Sequence, residues 1–248
     1  MLPKTPSFRL DGKRAFVPGG SRGIGLGCAA ALAEAGAHVV VAARSEGQVE
    51  AAAQALRAAG YSAEALVLDV TDQSAVEKAC ATPFDILCNS AGLARHAATL
   101  DVTEADFDAV AGINFKAAFF LAQAAARGMP LGGSIIQISS QMGHVGGVDR
   151  SVYAATKHAL EGMTKAMAID LGPRGIRVNT ICPTFIRTPL TEQTFSNPER
   201  VRWIEDKIKL GRIGEVEDIM GAVVYLASEA SALVTGTSIL VDGGWTAG

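Results

Sequence analysis

The stretch "RAFVPGGSRGIGLG", residues 14–27, sets a short apolar run against a glycine-rich turn that opens a helical pattern. The run at 14–18 predicts a strand, the glycines a tight turn, and the pattern at 23–35 a helix. The same alternation repeats to the far end of the chain. Further strand candidates are "HVVVA" (38–42), "EALVL" (64–68), "FDILC" (84–88), "SIIQIS" (134–139), "RVNTI" (177–181) and "SILVD" (238–242). Helical patterns lie near 46–59, 72–81, 103–127, 152–171 and 215–228, and Gly36, Gly60 and Gly172 read as helix stops. Most strand runs are continuously apolar, which suits strands covered on both faces. Strands separated by helices are joined by right-handed crossovers and therefore run parallel. The fold class is α/β: one domain over residues 1–248, a doubly wound parallel sheet of about seven strands with helices on both faces. The least regular stretch, 183–214, contains Pro183, Pro189 and Pro198 and has no strand of its own. A loop that long in a compact domain is usually functional, and about 188–212 reads as a lid.

Composition narrows the function classes. Of 248 residues, 49% are hydrophobic and 19% charged, and the net charge of −3 carries no basic block. A nucleic-acid footprint is not expected. Cys28, Cys80, Cys88 and Cys182 show no metal-binding or disulfide spacing and read as buried thiols of a reducing compartment, so no metal is expected. No secretory signal and no apolar stretch of about 20 residues is seen, which reads as a cytoplasmic chain without a membrane span.

In the opening stretch Gly19, Gly23 and Gly25 form G-x-x-x-G-x-G. Glycines there let the backbone approach a pyrophosphate, whose charge then sits at a helix N-terminus. A P-loop is excluded because no Gly-Lys-Ser/Thr follows. The second strand ends in "VVVAARSE": Ala43 stands where an acid would bind ribose hydroxyls, followed by Arg44, with Arg22 in the loop. Two guanidiniums without a carboxylate suit a 2′-phosphate, so NADP(H) is expected over NAD(H). Asp69 ends the third strand, as an adenine contact or a helix cap. Asn89 ends the fourth, as a ligand contact or a pin between strands.

The fifth strand ends in Ser139 and Ser140, and the helix after it carries Tyr153 and Lys157. Four residues is about one helical turn, so phenol and ammonium share a face. Parallel sheets bind ligands outside the carboxyl ends of their strands. Serine, tyrosine and lysine can therefore meet in one cleft.

Together "GGSRGIG", "CNSAG", "ISS", "YAATK" and "VTGTSILVDGG", in that order between about residues 10 and 244, resemble the short-chain dehydrogenase/reductase family. The likeness is to its 3-oxoacyl-carrier-protein-reductase-like and sugar-alcohol-dehydrogenase-like members. It implies a Rossmann-type sheet and a catalytic tetrad of Asn114, Ser140, Tyr153 and Lys157. It implies cofactor contacts from Gly19, Ser21, Arg22, Gly23, Ile24 and Gly25, from Arg44, and from Asp69 and Val70. Asn89, Ala91, Gly92, Tyr153, Lys157, Pro183, Ile186 and Thr188 complete that set. Pro18, Ser90 and Thr184 depart from the family's usual threonine, asparagine and glycine, which bears on cofactor affinity rather than chemistry.

The activity implied is hydride transfer between a nicotinamide cofactor and a secondary alcohol or ketone, with Tyr153 as acid/base. A phenol ordinarily titrates near pH 10, so work near neutrality needs a neighbouring cation. Lys157 supplies it, Ser140 orients the substrate oxygen, and Asn114 holds a water toward Lys157. Arg95, Gln141 and His144 hint at a polar carbonyl or polyol. Apolar surface on 103–127 and 152–171 suggests a homodimer or homotetramer. The alternatives are a cofactor-sensing regulator, or a nicotinamide-assisted epimerase or lyase, on the same fold.

Overall fold

The computed structural model describes residues 2–189 and 191–248. Among the described residues seven strands form one sheet: β1 (Arg14–Pro18), β2 (His38–Ala43), β3 (Ala63–Val67), β4 (Ile86–Asn89), β5 (Ser134–Ile138), β6 (Arg177–Pro183) and β7 (Ser238–Val241). Their order is β3-β2-β1-β4-β5-β6-β7, with every pairing parallel. The chain winds outward from β1 to β3, then crosses back to place β4 on the other side of β1. Loops leaving β1 and β4 thus diverge, opening a crevice at their carboxyl ends. This is the expected doubly wound fold.

The helices are α1 (Gly23–Glu34), α2 (Glu46–Ala58), α3 (Gln73–Ala79), α4 (Glu104–Ala111), α5 (Ala118–Gly128), α6 (Ser151–Leu171), α7 (Glu192–Phe195), α8 (Pro198–Lys207) and α9 (Glu217–Ala227). Residue alternation along β1 shows why the strands read as solid apolar runs. Ala15 and Val17 pack with Leu32 of α1, Val49 and Leu56 of α2, and Ile219 and Val223 of α9. Phe16 turns the other way, toward Leu121 of α5 and Leu160 and Met163 of α6, and stacks on Phe84 at 4.6 Å. Each fully buried side chain of this size contributes about 1.5–3 kcal/mol.

Several boundaries differ from expectation. Gly36 and Gly60 end their helices with left-handed backbone (φ 110° and 87°), but Gly172 has φ −53° and continues the coil. The left-handed stop is Gly175, φ 66°, one 3-10 turn later. The supposedly irregular 183–214 stretch holds the short helices α7 and α8. α8 is mostly polar and buries only Ile204, so its periodicity is faint. Leu190, within the expected lid, lies outside the described residues.

α4 and α5 are joined by a π-turn, Gly112–Ala117, into one 25-residue helix, Glu104–Gly128. By length and composition it meets the requirement for crossing a membrane, contrary to expectation, because the intervening Asn114 and Lys116 do not break it. Half of its most apolar window is buried within this fold.

Candidate active site

The loop after β1 owes its shape to two glycines. Gly19 has φ +76°, and a side chain there would meet the Ser90 and Ala91 backbone at 2.6 Å. A side chain on Gly25 would meet the Gly19 carbonyl oxygen at 2.1 Å. The loop therefore folds onto the start of α1 and against the strand β4 exit, leaving its outer side open. Pro18, without an N–H, still accepts from Ser90 N at 2.9 Å, while Gly19 N donates to the Ala42 carbonyl at 2.8 Å. The missing donor is absorbed at the strand end, and the loop keeps its anchors to both neighbours.

Along this loop runs a cleft of about 550 Å³, within the usual range for a ligand site. Of the expected residues, Ser21, Arg22, Gly23, Ile24, Arg44, Asp69, Val70, Ala91, Gly92, Tyr153, Lys157 and Thr188 line it, together with Gly19 and Gly25. Ala43, Ser45 and Gln48 line the cleft with Arg44, and Asp69, at the exit of β3, is the acid among the lining residues. Ser45 and Gln48 carried no sequence signal, since polar residues opening a helix are usually solvated.

Asp69 is not a helix cap. Its Oδ1 accepts from Thr71 N at 2.9 Å and Thr71 Oγ1 at 2.7 Å, and Asp72 caps α3 instead. Those Thr71 bonds, helped by the Arg44 charge, hold the Asp69 carboxyl below its ordinary range.

Five expected residues stand outside the lining, each for a physical reason. Asn89 is buried and donates to Gln137 Oε1 at 2.8 Å, pinning β4 to β5. Pro183 is covered at the end of β6. Ile186 is 2% exposed within the core, and its carbonyl accepts from Thr191 Oγ1. Asn114 gives both amide hydrogens away, to the Leu93 carbonyl at 2.8 Å and Thr156 Oγ1 at 3.3 Å, and accepts from Leu93 N. It straps the chain after β4, and the π-turn brings it there. Ser140 turns its Oγ to accept from Met142 N at 3.1 Å, while its neighbour Ser139, also buried, belongs to the cleft lining.

Lys157 is 5% exposed; its Nζ donates to the Ile138 carbonyl at 2.9 Å and lies 5.6 Å from the centre of the Tyr153 ring. The edge of the Tyr153 ring meets His96, centroids 5.8 Å apart. Arg150 donates to His96 Nε2 at 2.6 Å, a contact spanning 54 residues that no local pattern announces. Although His96 keeps exposed surface, lost hydration and the nearby guanidiniums push its imidazole down to about 4.

The residues named as a polar hint do not converge. Arg95 is paired with Asp106 at 2.6 Å, Gln141 is buried, and His144 turns toward Glu161 at 3.8 Å. His144, Glu161 and Cys182 do gather potential metal-ligand atoms within 4.8 Å, which spacing had not shown. There Glu161 already accepts from the hydroxyls of Thr180 and Ser238, and burial pushes the Cys182 thiol up to about 12.

A glycine cradle beside a phenol–ammonium pair, at the switch point of a parallel sheet, fits a nicotinamide dinucleotide. A family profile described as enoyl-(acyl carrier protein) reductase matches residues 19–246. The chain belongs to the short-chain dehydrogenase/reductase family. It is 40% identical over 247 residues to gluconate 5-dehydrogenase of Gluconobacter oxydans (strain 621H), covering 96% of each chain. It is 36% identical over 245 residues to bovine L-xylulose reductase, covering 97% of this chain and 99% of the relative. Among solved structures, a gluconate 5-dehydrogenase from Burkholderia cenocepacia J2315 in complex with NADP and tartrate superposes with TM-score 0.93. Its identity is 36%, with 97% and 98% of the two chains covered. This short-chain dehydrogenase is therefore an NAD(P)-dependent oxidoreductase of secondary alcohols and their ketones. The regulator and epimerase readings are not favoured, because these relatives are named dehydrogenases and reductases.

Proposed function

We propose that the enzyme is an NADP(H)-linked oxidoreductase of small polyhydroxy substrates in which Tyr153 moves the hydroxyl proton. The observation that carries this reading is that Tyr153, Lys157 and the glycine loop line one cleft. Gly19, Gly23 and Gly25 would hold the pyrophosphate, and Arg22 and Arg44 a 2′-phosphate. Bound there, the nicotinamide would accept or supply the hydride. Tyr153 takes the proton of the alcohol, or returns it to the ketone oxygen. Lys157 keeps a positive charge beside the phenol, fixed by the Ile138 carbonyl. Ser140 accepts from Met142 N, so its own O–H is free to donate to the substrate oxygen. With its amide hydrogens engaged, Asn114 shapes the wall and retains only acceptor capacity toward a water. The segment 188–212, with α7 and α8, acts as the lid.

Four free, buried thiols support a reducing, cytoplasmic setting. Exposed apolar side chains, among them Phe107, Phe115 and Ile169, support a homodimer or homotetramer, which light scattering on the eluted protein decides. The functional test is a nicotinamide absorbance screen of polyols, ketoses, aldonates and keto acids with both coenzymes. NADP(H)-dependent turnover of polyhydroxy compounds is expected. Turnover confined to NAD(H) would overturn the coenzyme preference.

A further inference from the structure

The relatives leave open whether the substrate is charged, since one is named for an acid and another for a neutral ketose. The charges around Tyr153 bear on this. Arg150 immediately precedes α6, three residues before Tyr153, and Asp149 before it holds a left-handed backbone, φ 59°. A non-glycine residue in that region is uncommon and worth a physical explanation.

Arg150 is held on two sides. One N–H bonds His96, and the guanidinium lies over the Phe185 ring, 5.5 Å from its centre. Phe185 belongs to an aromatic wall with Trp245 (5.6 Å) and Phe195 (6.5 Å), and Trp245 leads on to Trp203 (5.5 Å). Arg200, on the lid helix α8, stacks over Trp203 at 4.8 Å, near enough for its charge to act on both Arg150 and His96. Other arginines nearby are neutralised: Arg95 by Asp106 at 2.6 Å and Arg187 by Glu215 at 3.1 Å. Among the described residues Arg150 and Arg200 have no carboxylate at ion-pair distance, and Asp149 is the acid whose charge reaches Arg150. Arg200 is near enough for its positive charge to bear on Arg150, and the repulsion between the two guanidiniums is a cost that an incoming anion relieves. A fork with free N–H groups matches the two oxygens of a carboxylate.

We infer that the substrate is a polyhydroxy acid, whose carboxylate docks on Arg150, with Arg200 closing over it from α8, while its reacting hydroxyl faces Tyr153. His96 orients Arg150 through the Nη1–Nε2 bond. This rests on the proposed function, because it places the substrate against Tyr153.

The test is calorimetric titration of the enzyme with NADP⁺, then of the NADP⁺-loaded enzyme with D-gluconate, D-glucitol or D-glucitol 6-phosphate. Gluconate is expected to bind at least about tenfold tighter than glucitol. Arg150→Met is expected to cost roughly 10–150-fold in gluconate affinity, the range for losing a charge-assisted hydrogen bond. Glucitol and NADP⁺ affinities should stay within about threefold, and Arg150→Lys should recover part of the loss. Thermal unfolding of both variants checks that they are folded. Gluconate binding no tighter than glucitol, including no binding at all, overturns the inference, as does preference for the phosphate ester. NADP⁺ that fails to bind removes the underlying reading and the inference with it. NADP⁺ that binds while gluconate and glucitol bind alike overturns the carboxylate assignment alone.

Discussion

Lys157 sits with its ammonium 5.6 Å from the centre of the Tyr153 ring, held there by the carbonyl of Ile138. That carbonyl ends β5, so the sheet itself fixes where the positive charge lies. Replacing the charge with an isosteric thioether, Lys157→Met, should lower kcat by about 100-fold or more. A variant that keeps the parent's kcat, measured in both directions of the reaction, would show that Lys157 does not act on the phenol.

Gly25→Ala should damage the proposed coenzyme cradle. The added carbon lies 2.1 Å from the Gly19 oxygen, and backbone must give way. Overpacking of this kind costs about 1–3 kcal/mol. Each kcal/mol corresponds to roughly 2–4 °C of Tm in a chain of this size. A lowered Tm with NADP⁺ affinity weakened by about tenfold or more is expected. Wild-type affinity in the variant would mean that the loop does not carry the pyrophosphate.

The proposed preference for NADP(H) assigns the 2′-phosphate to Arg22 and Arg44, which line the cleft together with Ala43. Arg22→Ala with Arg44→Ala should weaken NADP⁺ by about 10-fold or more while changing NAD⁺ little, since a charged hydrogen bond is worth about 1.5–3 kcal/mol. Fluorescence titration with both coenzymes reads the ratio. Equal losses for the two would remove the 2′-phosphate assignment.

His96 carries a pH prediction. Its imidazole titrates near 4 in the folded chain, against 6.5 in an unperturbed one. The unfolded chain therefore takes up a proton that the folded chain refuses. The stability tied to His96 is complete above about pH 6.5 and is lost as pH falls toward 4. Proton NMR titration of the free enzyme should show no His96 inflection above about pH 5. His96→Gln should flatten the stability profile in that window. An inflection at 6.5 or higher would mean that Arg150 does not donate to His96 Nε2 in solution.

The sequence made the sheet legible because residues such as Ala15, Phe16 and Val17 are buried on both sides, so each strand stands out as a solid apolar run. Gly36 and Gly60 marked true helix ends, and Gly172 misled because the decisive left-handed position lies at Gly175. The helix α8 was hidden by its polar composition around a single buried Ile204. At the site, Tyr153, Lys157 and the glycine loop are each local patterns, and local patterns survive in a linear text. The contact of Arg150 with His96 joins residues 54 positions apart, and Asn114 finds Leu93 across 21. Such pairings exist only once the sheet has brought β4 beside β5. The turning of Ser140 toward Met142, with the buried Ser139 in the cleft lining in its place, depends on backbone direction after β5, which residue identity does not encode.

In the proposed mechanism the proton passes through one oxygen atom, the phenol of Tyr153. Stopped-flow and steady-state rates of Tyr153→Phe, with a substrate turned over by the parent enzyme, test it most directly. The account predicts a kcat reduced by about 100-fold or more, with NADP⁺ affinity and Tm close to those of the parent. A variant that binds NADP⁺ normally and still turns over within a few-fold of the parent would contradict it.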